Sequence, residues 1–169
     1  MQIVKQGARF HLLMHSTHLL EDRLRVLLKP LGLHAGQARF IHALGRIGEA
    51  SQRQLSSEFN ITPASMSQMT KRLINNGYIQ LRRDPKDKRT AILSLTEKGE
   101  QLLDEVVAIW QEVDQIVVDA IGAENADQLF AQSGNLRDAL GGRAPMVNPN
   151  PSPKRQITRV AHLHRSGNL

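Results

Sequence analysis

A mainly α-helical chain with one small β-hairpin is the fold class this sequence predicts, on three observations. Apolar residues recur at helical spacing in several separate runs, and capping residues and helix breakers punctuate those runs. Only the region around residues 78–95 is rich in β-branched and aromatic residues on both sides of a charged turn. A length of 169 residues suits one domain with an appendage and is enough to bury a core.

The first helix is expected from about Val4 to Lys29, where Phe10, Leu13, Thr17, Leu20, Leu24 and Leu27 share a face and Pro30 stops the run. A second spans about Ala35 to Ile47, with Ala38, Ile41 and Leu44 turned inward and Gly48 near its end. Ser51 and Gln54 have the spacing of a capping box, which starts a short third helix with Leu55 and Phe59 one turn apart. In TPASMSQMTKRLINNG, Thr62 can cap the fourth helix and Pro63 suits its first position, because proline has no N–H to leave unsatisfied. Gly77 supplies its stop. Met66, Thr70 and Leu73 fall on one side of this helix, while Ala64, Ser65, Gln68, Lys71, Arg72 and Asn75 fall on the other. That second side is polar and cationic and carries no carboxylate.

Strands are expected over Tyr78–Leu81 and Thr90–Leu95. Between them, Arg82 to Arg89 holds seven charged residues in eight, five of them cations. Thr96 can cap a long helix running to Ile121, about 36 Å at 1.5 Å per residue. Its apolar stripe, from Leu102 through Val106, Trp110 and Val117 to Ile121, is too wide for one contact surface, so its far end needs another partner. A last helix covers about Ala123 to Leu140, with Ala126, Leu129, Phe130 and Leu136 or Leu140 at helical spacing. After Gly141 and Gly142 the chain becomes a Pro-rich linker and then a basic tail.

Charge is placed unevenly. Residues 51–99 carry nine Lys or Arg against four Asp or Glu, and residues 141–169 carry five against none, within a chain of net charge +6. Such concentration is the footprint of a polyanion partner. Cysteine is absent, which excludes disulfides, thiolate metal sites and thiol redox switching and fits a reducing compartment. No signal peptide and no membrane span is expected, so the chain reads as a soluble cytoplasmic protein without a membrane partner. No phosphate-cradling Gly-rich loop, no G-x-S-x-G and no paired carboxylates in an apolar run occur, so an enzyme is not expected, nor any cofactor. His11, His15, His18 and Asp22 share a helix face with metal-ligand spacing, but the stripe lies away from the apolar side and reads as solvated surface, with no metal site.

Two short helices joined by a tight turn, the second with a cationic outer side, followed by a charged hairpin: this order predicts a winged helix-turn-helix. A helix fits the major groove of duplex DNA, where base edges are distinguishable, and a β-hairpin can reach phosphates or the minor groove. Each cation at the hairpin tip that meets a phosphate releases a condensed counterion, so the cluster favours DNA in a salt-dependent way. A winged helix that binds protein instead of operator DNA is the alternative.

The segment DKRTAILSLTEKG, residues 87–99, resembles the wing of the MarR (multiple antibiotic resistance regulator) type of bacterial transcription factor, with its Asp-x-Arg, alternating apolar residues and Leu-Thr-x-x-Gly. LINNGYIQLRRDP, residues 73–85, is similar to the segment that precedes it in that family. The resemblance covers about residues 5–140. It implies a homodimer in which residues 1–34 and 100–140 supply dimerisation helices around a DNA-binding region, residues 35–99, with residues 141–169 appended. It also implies paired recognition helices on a pseudo-palindromic double-stranded operator, and a transcriptional regulator, expected to be a repressor.

Residue by residue, the resemblance implies that Arg89 enters the minor groove and that Asp87 holds it by an ion pair. Ser65, Gln68 and Arg72 match positions facing bases or phosphates, with Gln68 suited to adenine and Arg72 to guanine. Ser67, Lys71, Lys86 and Lys88 complete the expected DNA-contact set, the lysines as phosphate contacts. A small aromatic or anionic effector is implied between the dimerisation helices and the DNA-binding unit, with His15, Arg39, His42 and Trp110 as candidate pocket walls. The tail, with Lys154, Arg155, Arg159 and Arg165, has three readings: a DNA-contacting arm, a short helix docked on the partner subunit, or a segment without fixed structure.

Overall fold

A computed structural model describes residues 9–59, 61–85 and 87–142. The element order is α1 (Phe10–Leu28), a 3-10 turn (Lys29–Leu31), α2 (Ala35–Ile47), β1 (Glu49–Ser51), α3 (Gln52–Phe59), α4 (Pro63–Asn75), β2 (Ile79–Arg83), β3 (Ala91–Leu95), α5 (Glu97–Ile121) and α6 (Ala123–Ala139). The mainly helical class and the hairpin are as expected. The expected helix start near Val4, the residue Lys86 and the basic tail lie outside the described residues.

The capping chemistry read from the sequence is present. Ser51 and Gln54 bond reciprocally, the Ser51 N–H donating to Gln54 Oε1 at 2.8 Å and the Gln54 N–H to Ser51 Oγ at 3.2 Å. Thr62 Oγ1 accepts from the Ser65 N–H at 3.1 Å, and Pro63 stands at the first helical position of α4. A further bond of this kind opens α2, where the His34 N–H donates to Gln37 Oε1 at 3.0 Å.

The sheet has three strands, not two, in the order β1-β3-β2, all antiparallel. Three residues between Gly48 and α3 add the extra edge strand, with Ala50 opposite Leu93. Gly48 makes the entry possible, since its φ of 84° turns the chain out of α2 where a side chain would be strained.

One core joins helices and sheet. Leu28, Phe40, Ile41, Leu44, Leu55, Met66, Leu73, Ile79, Leu93 and Val106 are all at least 98% buried, each removing about 1.5–3 kcal/mol of apolar side chain from water. The inward side of α4 is Met66, Thr70 and Leu73, as its periodicity predicts. Thr70 is reconciled with burial by donating to the Met66 carbonyl at 3.0 Å and accepting from Gln52 Nε2 at 2.9 Å. Where α2 crosses α5, Gly45 leaves room for the Leu103 side chain, which a Cβ would strike.

The long helix α5 splits its burial. Its first half enters the core through Leu102 and Val106, and its second half meets α6, with Val117 buried. Beyond that contact, apolar surface is left open. Phe10, Leu12, Leu13, Met14, Leu19 and Val26 on α1, and Leu129, Phe130, Leu136 and Leu140 at the other end, are 40–78% exposed. The apolar stripe expected along α1 therefore reaches the core only in its C-terminal part, around Leu24 and Leu28. Among the described residues no helix is long and apolar enough to cross a membrane, and no group of three His, Asp or Glu could hold a metal.

Candidate nucleic-acid interface

Helix α4 presents Ser65, Ser67, Gln68, Lys71 and Arg72 to solvent, on the side opposite Met66, Thr70 and Leu73. The polarity of this arc follows from the helix period alone. Open grooves run along its flank between α4 and the start of α2, one lined by His34, Gln37, Ser65, Gln68, Met69 and Arg72, and the other shared by His34, Gln37, Arg72, Asn75 and Asn76. Ser65 Oγ is bonded to Thr62 Oγ1 at 3.0 Å, so its hydroxyl belongs to the helix cap as well as to the surface. Among the described residues, the side chains of Ser67, Gln68, Lys71 and Arg72 make no internal hydrogen bond or ion pair. Pairing of Arg72 or Lys71 with a surface carboxylate is thereby absent.

The helix runs through Gly77 straight into the hairpin. Gly77 takes φ 75°, the left-handed turn that glycine adopts at little cost, and the Tyr78 N–H returns to the Leu73 carbonyl at 3.0 Å. At the other end of the hairpin the turn is closed by the Asp84 N–H to the Thr90 carbonyl at 3.0 Å. Lys88 and Arg89 are exposed there.

Asp87 is a structural residue of this turn, but not by the ion pair the family resemblance implied. Its Oδ2 accepts from the Thr90 hydroxyl at 2.7 Å and its Oδ1 from the Arg89 backbone N–H at 3.0 Å. The Arg89 guanidinium is not its partner. A short Asp side chain bonding the backbone two residues on is an Asx turn, and it fixes the peptide from which Arg89 projects. These bonds, first that from Thr90 and then that from the Arg89 N–H, hold the carboxyl below its ordinary titration range.

Sequence reasoning missed one member of the hairpin. Arg82 forms a bidentate pair with Glu49, Nη2 to Oε2 at 2.6 Å and Nε to Oε1 at 3.2 Å. The partner stands on the edge strand that was not foreseen, 33 residues away, so no local signal announced it.

The junction with α5 explains the Leu-Thr-x-x-Gly pattern. Thr96 Oγ1 donates to the Gly77 carbonyl at 2.6 Å and accepts from the Gly99 N–H at 3.0 Å, capping α5 while tying it to the end of α4. Lys98 Nζ donates to the Asn76 carbonyl at 2.9 Å and lies 4.8 Å from the Tyr78 ring centroid. Gly99 packs directly against the Tyr78 carbonyl, where a Cβ would overlap the oxygen.

Of the candidate effector residues, His42 and Trp110 are brought together, ring centroids 4.3 Å apart between α2 and α5. Burial, and then the charge of Arg46, lowers the pKa of His42. Arg39 instead lies 5.9 Å from the Phe59 ring centroid, and His15 is exposed on α1. Among the described residues, no hydrogen bond, ion pair or ring contact joins either to the His42–Trp110 pair.

Comparison with known proteins agrees with this geometry. Residues 31–90 match the model of the MarR family. The HTH-type transcriptional regulator BilQ of Clostridium symbiosum (strain WAL-14163) is 32% identical over 103 residues, which are 61% of this chain and 72% of that protein. The crystal structure of transcriptional regulator PA4135 superposes with a TM-score of 0.68 at 26% identity, over 79% of this chain and 98% of that one. A mutant of MarR from E. coli complexed with operator DNA shares the fold, with a TM-score of 0.67 at 18% identity over 76% of this chain and 92% of that one. From its family-model match, the length shared with BilQ and a winged helix-turn-helix fold, this chain belongs to the MarR family.

Proposed function

We propose that this transcriptional regulator binds double-stranded DNA sequence-specifically as a homodimer, acting as a repressor that a small aromatic or anionic effector releases. The observation that carries the DNA-binding reading is the outer side of α4, where the side chains of Ser67, Gln68, Lys71 and Arg72 stand exposed without hydrogen-bond or ion-pair partners among the described residues. Unpaired donors of this kind are available to base edges and phosphates, whereas a merely solvated helix surface usually mixes both signs of charge. Gln68 and Arg72 read bases, Ser65, Ser67 and Lys71 position the backbone, and Lys86, Lys88 and Arg89 extend the contact from the hairpin.

Two copies are needed because an operator half-site occupies one recognition helix. The exposed apolar residues of α1 and of the α5–α6 end supply the surface between them. The contact between His42 and Trp110 on α2 and α5 lies where a bound effector would bias the angle between the dimerisation helices and the reading unit.

Selection of bound fragments from the source genome would yield an operator, and titrations against it test the reading. Contact with about 8 phosphates per dimer corresponds to a log–log salt slope near −7. Gln68→Ala is expected to cost about 1–3 kcal/mol, mainly at one base pair of each half-site, and Arg89→Ala to weaken all duplexes with a shallower slope. Wild-type binding by both variants would overturn the assignment.

A further inference from the structure

The inference concerns Arg82 and rests on the DNA-binding reading above. Of the hairpin cations, Arg82 alone is committed to a carboxylate among the described residues. Glu49 stands opposite Ser94 and Arg82 opposite Ile92, so the pair leans diagonally over β3 on the side of the sheet away from buried Leu93. Both side chains are about half exposed, so neither needs the other to compensate a buried charge. Nor is the pair required to join the strands, since backbone ladders link β1 and β2 to β3 and a neutral Gln80–Ser94 bond lies beside it at 3.2 Å. The side chains of Lys71, Arg72, Lys88 and Arg89, by contrast, have no hydrogen-bond or ion-pair partner among the described residues.

We infer that Glu49 serves as an internal stand-in for phosphate, withholding Arg82 from duplex and trimming sequence-independent attraction without touching the residues that read bases. The chemistry suits this role. A guanidinium fork fits carboxylate and phosphate equally well, so the two compete for the same donors. Arg82 precedes Asp84, which closes the hairpin turn, by two residues, or about 7 Å of strand. An extended arginine released from Glu49 spans that distance and reaches the phosphates assigned to Lys88, beside the groove assigned to Arg89. Every added phosphate contact tightens binding to any sequence, operator or not, and so erodes the ratio that locates an operator among competing sites. Glu49 is a positioning residue, acting through Arg82.

The test measures salt dependence with the full chain on a random-sequence duplex and on a genome-selected operator, for wild type, Arg82→Gln, Glu49→Gln and the double variant. Arg82→Gln is expected to leave the wild-type slope unchanged. Glu49→Gln should steepen it by about 0.9 per protomer, equivalent to about 3.5-fold more loss between 50 and 200 mM salt, and should tighten binding to the random duplex. The double variant should return to the wild-type slope. A merely structural pair would lower the melting temperature of both single variants and move neither slope. An unchanged slope for Glu49→Gln, or a shallower one for Arg82→Gln, overturns the inference, and should Glu49→Gln fail to fold, Glu49→Ala is measured in its place with the same expected steepening and the same refuting result. Should wild type retain no duplex, the DNA-binding reading fails instead, which is a separate outcome.

Discussion

Replacing Gly99 by alanine would ordinarily stabilise a helix, by about 1 kcal/mol of propensity. Here the reverse is expected. The new Cβ would overlap the Tyr78 carbonyl oxygen and lie 3.0 Å from its carbonyl carbon, whereas carbon pairs settle at about 3.5–4.0 Å. The obstacle is backbone, so no rotamer change relieves it, and α5 must back away from the hairpin by about 1 Å or more to restore ordinary contact. Overpacking of this sort costs about 1–3 kcal/mol. The same Tyr78 oxygen accepts from the Thr96 N–H at 3.1 Å, and stretching that bond forfeits about 1 kcal/mol more. After the propensity gain is subtracted, a net loss of about 1–3 kcal/mol remains, or roughly 2–12 °C in melting temperature for a chain of this size. Gly36 provides the control, since nothing lies within 4 Å of its Cβ position, and Gly36→Ala should be neutral or slightly stabilising. Thermal and denaturant melts of the two variants against wild type measure the effect. A Gly99→Ala protein as stable as Gly36→Ala would refute the close approach and the account of the Leu-Thr-x-x-Gly pattern built on it.

Two further outcomes are expected. Phe130→Glu places a charge on apolar surface that is 40% exposed in the single chain; with the change made once per protomer, about 3 kcal/mol is lost and the proposed dimer is expected to dissociate roughly 10²-fold more readily by analytical ultracentrifugation, so an unaltered association would remove α6 from the proposed interface. Burial and Arg46 lower the folded-state pKa of His42, so the unfolded chain takes up this proton first as acidity rises. Its contribution is whole above the unfolded value of about 6.5 and is lost as pH falls through the folded one. The melting temperature of wild type should therefore drop relative to His42→Gln between pH 7.5 and 5.5, and parallel profiles would show that the imidazole is not desolvated.

What the sequence disclosed was chemistry that acts over one helical turn. The caps at Ser51, Thr62 and Thr96 rest on bonds spanning three residues, and the two sides of α4 follow from a 3.6-residue period, so both could be read directly. The short edge strand at Glu49–Ser51 could not, because its bonds are made to Ser94, Leu93 and Ile92, and three residues hold no alternation to detect. Missing that strand hid the Arg82–Glu49 pair as well. For Asp87 the family resemblance implies a structural role through an ion pair with Arg89, whereas its donors in this turn are the Thr90 hydroxyl and the Arg89 backbone amide. The amphipathic pattern of α1 was legible, yet periodicity does not say whether an apolar stripe faces its own core or another molecule. Phe10 and Leu13 belong to the same stripe as Leu24 and are open where it is covered.

The bonds from Thr96 and Lys98 to the carbonyls of Gly77 and Asn76, just past the end of α4, tie the base of α5 to that helix. Because α5 runs for 25 residues, about 37 Å, it works as an oar in a rowlock. A rotation of only about 5° around its distant end sweeps the blade by about 3 Å, close to the rise of one base pair. In the proposed dimer, whatever grips the handle would therefore set the register at which two such helices meet successive grooves.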